Sequence, residues 1–436
     1  MKYVITTFGC QMNQADSRLM AAVLDRAGWE ECRTPQEADL LLINTCSVRE
    51  KPEQKVRSLL GELRAEKQAR PGTLLGVVGC MAQRQGERLL SRFPFVDFVL
   101  GTRSFHHLAE VVGRAQRGER RIVLTDLDDD PAAMRCELAS GALLRAFVPI
   151  ILGCTNFCSY CIVPYVRGEE TSRPLDEIVR EVERMVARGT REVTLLGQNV
   201  LAYGKDLRDG PTFAQLLERL NARGDLWRIR FTTCHPRDVG DDLIRAMADL
   251  PKVCEHIHLP IQAGTDRLLR EMNRGYTVDQ YRATVDKLRA GVPGLAITTD
   301  LMVGFPGETE EDFARSLELY QALRFDAAFT FAYSERPGTA AATRSDQVPR
   351  AIRVSRLNQL IAVQNRITCE RNAAEVGRTV EVLVEGPAEK GERLLAGKAR
   401  QNKQVVFPGE PKFTGTLVQV RLLEAELWGF RGEAVR

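Results

Sequence analysis

Along the first third of the chain, apolar residues fall in continuous runs separated by amphipathic stretches. Residues 2–8 (KYVITTF), 39–45 (DLLLINT) and 73–79 (TLLGVVG) read as buried strands, and FVDFVLG reads as a fourth. Between them, residues 16–27 repeat apolar positions at helical spacing (Leu19, Met20, Val23, Leu24). Residues 52–69 form a charged helix, and a last helix reaches about residue 115. Strands apolar on both faces need helices on both faces, so the pattern predicts a parallel, doubly wound α/β sheet. Residues 125–143 (TDLDDDPAAMRCELASGAL) lose the pattern and read as a linker.

The alternation then resumes. Strands are expected at 146–152, 192–196, 228–233, 256–261, 296–303 and 327–333, with helices such as 174–189 and 308–323 between them. Six βα units in a row predict a partial (β/α)6, TIM-like barrel. After a long helix ending near Glu375, short β-rich runs punctuated by Gly and Pro predict a small, OB-like all-β barrel. The expected domains are 1–120, 140–370 and 373–436, an α/β chain with an all-β tail.

Composition narrows the setting. A chain of 436 residues is too long for one ordinary core. Its net charge of +3 is nearly neutral, so a nucleic-acid partner would have to meet a local basic patch. No apolar run approaches a membrane span, and the N-terminus turns polar before an apolar signal region can form. A cytoplasmic protein with no membrane attachment is expected. Eleven cysteines is an odd, scattered count, and in a reducing compartment clustered cysteines point to metal or redox chemistry.

Two cysteine sets stand out. In GCTNFCSYCIVPYVRG (153–168), Cys154, Cys158 and Cys161 share one short loop after the first barrel strand, where active sites on such barrels lie. Iron–sulfur clusters usually take four thiolates, so three would leave one iron open to a small chelating molecule. Structural zinc is the competing reading, but it needs four ligands, and no fourth Cys or His follows at finger spacing. The second set is dispersed. Cys10, Cys46 and Cys80 each follow a predicted parallel strand, beside Gly or Asn, at the sheet edge where ligands bind. Three loops converging there could present thiolates to a second cluster; ordinary buried cysteines are the alternative. Cys32, Cys136, Cys234, Cys254 and Cys369 stand singly and read as buried or incidental thiols.

The three-cysteine loop resembles the radical S-adenosylmethionine superfamily, and nearly the whole chain resembles its methylthiotransferase family. The carrying segments are CSYCIVPYVRGEETSRP, LLGQNVLAYG, RFTTCHPRD, HLPIQAGTDRLLREMNRGY, TDLMVGFPGETEEDF and FAYSERPGTAA. One departure is Cys234, where the family more often has Ser. The resemblance implies a methylthiotransferase N-terminal domain, a radical core and a C-terminal TRAM domain that binds RNA. It implies two [4Fe–4S] clusters, a radical cluster on Cys154, Cys158 and Cys161 and an auxiliary one on Cys10, Cys46 and Cys80. Two S-adenosylmethionine molecules per turnover would place a methylthio group on carbon 2 of an N6-isopentenylated adenosine at position 37, beside the tRNA anticodon. It further implies a low-potential electron donor such as a flavodoxin or ferredoxin, a sulfur donor, and a monomer. The chemistry agrees: an aromatic C–H is not acidic enough for a side-chain base, so a cofactor must carry the hard step.

Position suggests contacts to S-adenosylmethionine from Tyr160, Gly197, Gln198, His258, Gln262, Asp300 and Gly304, with a structural hydrogen bond or ordinary loop packing the competing reading. GFPGE is not a Walker-type phosphate loop, since the following Lys-Ser/Thr is missing. From Arg393 to Gly409 the chain carries Arg393, Lys398, Arg400 and Lys403 and no acidic residue, a stretch that reads as an RNA-binding face with Phe407 or Phe413 for stacking. A solvated loop face is the alternative. Two other functions remain open: the same chemistry on threonylcarbamoyl-adenosine or on an aspartate of a small-subunit ribosomal protein, and a non-catalytic iron–sulfur RNA-binding module. The last does not account for six strand-end motifs.

Overall fold

The computed structural model describes all residues except 48–49, 128–142, 392 and 436. Most of the expected linker 125–143, with Cys136, lies outside the described residues. The chain divides into two compact units: Met1–Thr190 with Thr194–Pro211 and Arg336–Thr339, and Arg191–Val193 with Thr212–Glu335 and Ala340–Arg436.

The first unit begins with β1 (Lys2–Thr7), α1 (Gln11–Arg26), β2 (Glu30–Glu31), β3 (Leu40–Thr45), α2 (Glu50–Ala69) and β4 (Leu74–Gly79). It continues with α3 (Cys80–Gln85), α4 (Glu87–Arg92), β5 (Phe98–Leu100), α5 (Leu108–Gln116) and β6 (Ile122–Leu124). These strands form one parallel sheet in the order β2-β1-β3-β4-β5-β6. The apolar runs explain it: Leu40 and Leu42 enter a core with Met20, Leu24, Leu108 and Val111, whereas Leu41 and Ile43 enter another with Val56, Leu60 and Leu89. Alternate side chains of one strand thus feed two helical layers. Two details differ from expectation. The first helix starts at Gln11 rather than at 16, and Ile122–Leu124 adds a sixth strand that three residues of pattern were too short to reveal.

The same unit holds β7 (Arg145–Pro149), β8 (Ile151–Leu152), α6 (Val163–Arg167), β9 (Thr171–Ser172) and α7 (Leu175–Ala187), and most of β10 (Glu192–Leu196). The strand expected at 146–152 breaks at Ile150. Its amide donates to Leu196 O at 2.9 Å, while β8 turns to pair antiparallel with β9. That small ribbon brackets the three-cysteine loop.

The second unit holds β11 (Arg228–Phe231), β12 (His256–His258), β13 (Ala296–Val303) and β14 (Ala327–Ala332), and β12-β13-β14 pair in parallel. Helices α8 (Phe213–Asn221), α9 (Asp241–Asp249), α10 (Asp266–Glu271), α11 (Val278–Gly291) and α12 (Glu310–Leu323) intervene. Threonines 212, 265, 277 and 309 cap four of them through side-chain oxygens, a contribution of about 1 kcal/mol each. After α13 (Arg350–Ala373), β15 (Thr379–Pro387), β16 (Leu394–Ala399), β17 (Gln404–Pro408), β18 (Leu417–Glu426) and β19 (Gly429–Ala434) close into a barrel around Val382, Val405, Phe407 and Phe430. Among the described residues, no helix is long and apolar enough to cross a membrane.

Candidate functional site

The ends of β1, β3 and β4 bring Cys10, Cys46 and Cys80 together. Cys46 hydrogen-bonds Cys10, and Cys80 feels the charge of Cys10. Cys10 is exposed, whereas Cys46 and Cys80 are buried. Polar side chains stitch the three strand ends. Asn13 Nδ2 donates to Asn44 Oδ1 (3.1 Å) and Thr45 O (3.0 Å); Asn44 Nδ2 returns a bond to Asn13 O (2.8 Å). Thr45 Oγ1 donates to Val78 O and accepts from the Met81 amide. Two glycines make the approach possible. A Cβ on Gly9 (φ +136°) would stand 2.6 Å from Cys46 Cβ, and one on Gly79 (φ +90°) would stand 2.5 Å from Asn44 Oδ1.

A charge sits against these thiols. Arg167 is the last residue of α6, whose Val166 packs with Cys80 in one buried cluster; its charge acts on Cys80, and it is gripped by Asp16 of α1, with Nη2 2.6 Å from Oδ2 and Nη1 3.3 Å from Oδ1. Both side chains are about 95% buried, at 5% and 4% exposure. The hydrogen bond from Cys46, with the nearby guanidinium, holds Cys10 down at about 6. Burial pushes Cys80 up, although Arg167 opposes it.

The second set occupies the loop between β8 and β9. The Cys154 amide donates to Gly168 O at 3.0 Å, the Cys161 amide to Cys158 O at 2.8 Å, and Asn156 Nδ2 to Cys154 Sγ at 3.4 Å. Burial raises the Cys154 thiol, and the neighbouring Cys158 and Glu170 charges add to that. Thr102 Oγ1 donates to Val166 O, and Arg103 donates to the carbonyls of Arg167 (3.1 Å) and Glu169 (2.8 Å), fixing the loop's far end. Gln198 follows β10, and its buried Oε1 has no hydrogen-bond partner. Gly197 packs closely: a Cβ there would lie 2.4 Å from Ile151 Cγ2. Tyr160 is half-buried in the loop.

In the second unit, His258, Gln262 and Asp300 gather at the carboxyl ends of β12 and β13. His258 Nδ1 bonds Thr298 Oγ1 at 3.1 Å, with Nε2 3.6 Å from Asp300 Oδ2. Gln262 adopts a positive φ (+71°), donates its amide to Asp300 O (3.0 Å), and leaves its buried Oε1 without a partner. Gly304 lies in the turn after β13. Its amide donates to Glu308 Oε1 at 2.8 Å, and that carboxylate is clamped by Arg356 at 2.7 Å, so the turn is held by the protein itself. Cys234 is buried, as a packing thiol would be.

The basic stretch is only partly a free face. Arg400 binds Glu255 (2.7 Å) and Val253 O (2.7 Å); Lys403 binds Glu375 (2.6 Å) and lies 3.4 Å from Asp326. Lys398 Nζ donates to Asn402 Oδ1 at 3.1 Å, and Arg393 is exposed. Phe407 cannot stack on RNA as expected, because it is fully buried in the barrel core; Phe413 packs against that core. Trp428, in the turn between β18 and β19, is 72% exposed instead. The residues that sequence reasoning missed are Asp16 and Arg167. A lone Arg in YVRG carries no sign of a partner 151 positions away.

Three thiols per set, with no fourth Cys or His at finger spacing, suit a cluster that keeps an open iron. Among the described residues, no three His, Cys, Asp or Glu side chains converge on a point that would hold a single metal ion. A cubane asks for something else, since each thiolate binds a different corner. The unpartnered acceptor of Gln198 in the first unit, and that of Gln262 in the second, each suit a polar group that supplies a donor.

Residues 2–101 match uncharacterized protein family UPF0004, residues 148–320 the radical SAM superfamily, and residues 373–435 the TRAM domain. The chain is 47% identical to a tRNA-2-methylthio-N(6)-dimethylallyladenosine synthase of Moorella thermoacetica, over 99% of this chain and 98% of the relative. It is 46% identical to the enzyme of that name from Carboxydothermus hydrogenoformans, over 99% of each. Among solved structures, the radical S-adenosylmethionine methyltransferase TsrM of Kitasatospora setae, with tryptophan and a S-adenosylmethionine analogue bound, aligns with a TM-score of 0.58 at 14% identity. That alignment covers 78% of this chain and 75% of TsrM, and it speaks to the fold alone.

Proposed function

The chain belongs to the tRNA-2-methylthio-N(6)-dimethylallyladenosine synthase family of radical S-adenosylmethionine enzymes, and from that premise we propose how its residues divide the work. The substrate is N6-isopentenyladenosine at position 37 of tRNA, and the product is its 2-methylthio derivative. Cys154, Cys158 and Cys161 hold one [4Fe–4S] cluster, and Cys10, Cys46 and Cys80 hold a second. The observation that carries this is the gathering of Cys10, Cys46 and Cys80 from three separate strand ends, beside a buried guanidinium.

When bound, the two clusters and S-adenosylmethionine supply the one-electron and sulfur-transfer chemistry that a non-acidic aromatic C–H requires. The chain's own residues bind and orient. In the first unit Gln198 offers a buried acceptor to the polar parts of S-adenosylmethionine, with Tyr160 and Gly197 as further contacts. In the second unit Gln262 offers another, beside His258 and Asp300. Gly304 contributes by its turn rather than by its amide. Arg393 is the basic residue best placed to meet RNA phosphates, with Lys398 beside it, while Arg400 and Lys403 act by holding the TRAM barrel to the core. An electron donor such as a flavodoxin or ferredoxin, a sulfur donor, action as a monomer and a cytoplasmic location complete the reading, as do domain limits of 1–120, 140–370 and 373–436.

The test has two parts. Anaerobically reconstituted protein should carry about eight irons, four per cluster, and about four after alanine replaces Cys10, Cys46 and Cys80. A wild-type value near four would remove the second cluster. Nucleosides of tRNA from a deletion strain should lack 2-methylthio-N6-isopentenyladenosine, and unchanged levels would refute the substrate.

A further inference from the structure

Arg167 stands out because it belongs to one cysteine set by sequence and to the other by contact. It lies six residues after Cys161, at the end of the helix that closes the three-cysteine loop. Its helix nevertheless packs against Cys80, which shares a buried cluster with Ile162 and Val166, and its charge acts on Cys80 and Cys10, whereas the charges that act on Cys154 are those of Glu170 and Cys158. Asp16, from the helix that Cys10 starts, aims it with two contacts of 2.6 and 3.3 Å. The backbone around it is pinned as well. Thr102 and Arg103 hold the carbonyls of Val166, Arg167 and Glu169. This much fixing leaves the guanidinium little freedom to leave the thiols.

A buried cation is costly unless it is matched, and one Asp nearly cancels it. Three thiolates around an iron–sulfur core add further negative charge in the same low-dielectric space, and one-electron reduction adds another unit. A fixed cation there favours the reduced form, and a fixed anion disfavours it. Opposite charges within about 4–6 Å shift protonation equilibria by 1–3 pKa units, and electron uptake responds to the same field.

We propose that Arg167, aimed by Asp16, is a positioning residue that compensates the charge of the auxiliary cluster and sets its reduction potential, so that the radical segment completes the site of the N-terminal segment. The inference rests on the two-cluster reading above. Its consequence is that the N-terminal thiols lack their countercharge until the radical segment has docked.

The experiment isolates the auxiliary cluster in full-length protein with alanine at Cys154, Cys158 and Cys161, and follows its one-electron reduction by dithionite in a redox titration read by EPR. In that background Arg167→Gln should lower the reduced-to-oxidised ratio at a given potential at least tenfold, about 59 mV to the negative side. Asp16→Asn should move it the other way, and Arg167→Lys should restore most of the loss. Should Arg167→Gln fail to hold iron, recovery of iron in Arg167→Lys supports charge compensation, and loss in both overturns it. Potentials that stay put in Arg167→Gln and Asp16→Asn, or that move in the same direction, overturn the inference while leaving the two-cluster reading intact. A parent that binds no auxiliary iron overturns both.

Discussion

Replacing Arg230 with Met should loosen the TRAM barrel from the radical core. Arg230 is 4% exposed; its Nε lies 2.9 Å from Glu192 Oε2. Its other nitrogens donate to Arg400 O (2.7 Å) and Ala399 O (2.8 Å) at the end of β16. Met keeps the volume and flexibility but none of the donors. The change removes the closest guanidinium from Glu192, a fully buried carboxylate, and leaves Arg228 at 3.9 Å. Removing one partner of a buried pair costs about 3–5 kcal/mol, chiefly because the other charge is left uncompensated. Two TRAM carbonyls also lose their donors, at about 1–3 kcal/mol each where water cannot replace them. The Arg228 bonds to Glu381 (2.8 Å) and Lys398 O (2.6 Å) remain, so the expected net loss is about 3–5 kcal/mol rather than the full sum.

Unfolding of so large a chain is not a two-state process, so a global midpoint is the wrong readout. Hydrogen exchange of the amides of β16 and β17 reports local opening instead. Arg230→Met should speed their exchange by a factor of 100 or more, about 2.7 kcal/mol, with the N-terminal sheet unaffected. Adding Glu192→Leu should recover part of the loss, because it removes the carboxylate that Arg230 compensates. Protection that changes less than fivefold in the single variant, or a double variant worse than the sum of the two singles, would refute the argument from an uncompensated carboxylate.

Three further outcomes follow from the same structure. Gly79→Ala places a Cβ 2.5 Å from Asn44 Oδ1 and 2.6 Å from Thr45 O, so reconstituted iron should fall from about eight to about four per chain while S-adenosylmethionine cleavage persists; retention of all the iron would contradict it. Arg393→Glu should weaken tRNA binding and flatten its salt dependence, whereas Arg400→Gln should instead raise the exchange of β16; equal loss of tRNA affinity in both would show Arg400 to be an RNA contact. Burial would raise the Asp312 carboxyl, but bonds from Arg267 and Thr309 outweigh it and hold it at about 2. A depressed carboxyl stabilises the fold above its unfolded value near 4 and ceases to do so as pH falls toward 2. The gap between wild type and Asp312→Asn in the local opening of α12, read by hydrogen exchange, about 1 kcal/mol after solvent screening, should therefore be full at pH 6 and vanish near pH 2; a gap independent of pH would refute it.

How much of this was legible in the sequence depends on the range of the interaction involved. The doubly wound sheet was, because Leu40 to Ile43 are apolar without interruption and only a strand covered on both faces needs that. The short closing strand Ile122–Leu124 was not, since three residues do not define a period. Phe407 shows a pattern that was present and outweighed: in QVVFP, Val405 and Phe407 share a face, and a strand of a small closed barrel turns that face inward. Alternation also puts Lys398 and Arg400 on the opposite face from Ala399, but it is silent on what that face meets. The answer lies in Glu255, 145 positions earlier, and in Asp326 and Glu375 for Lys403.

A charge in a sequence is therefore ambiguous in a way that an apolar run is not. Burial of an apolar side chain follows from local period, because any core will serve. Burial of Arg167, Arg228 or Arg230 requires a particular acid at a particular place, since an unmatched buried cation would cost more than the fold can offset. Asp16 stands 151 positions from Arg167, and Glu381 stands 153 from Arg228. Such pairs can form only after the elements that carry them have docked. They report tertiary assembly, and each joins segments that match different families: residues 2–101 to the radical core through Asp16 and Arg167, and the core to the TRAM barrel through Arg228 and Glu381. Cys154, Cys158 and Cys161 announced where chemistry could occur because their spacing is local. The arginines set how the pieces carrying those cysteines are joined, and this information resides in the fold.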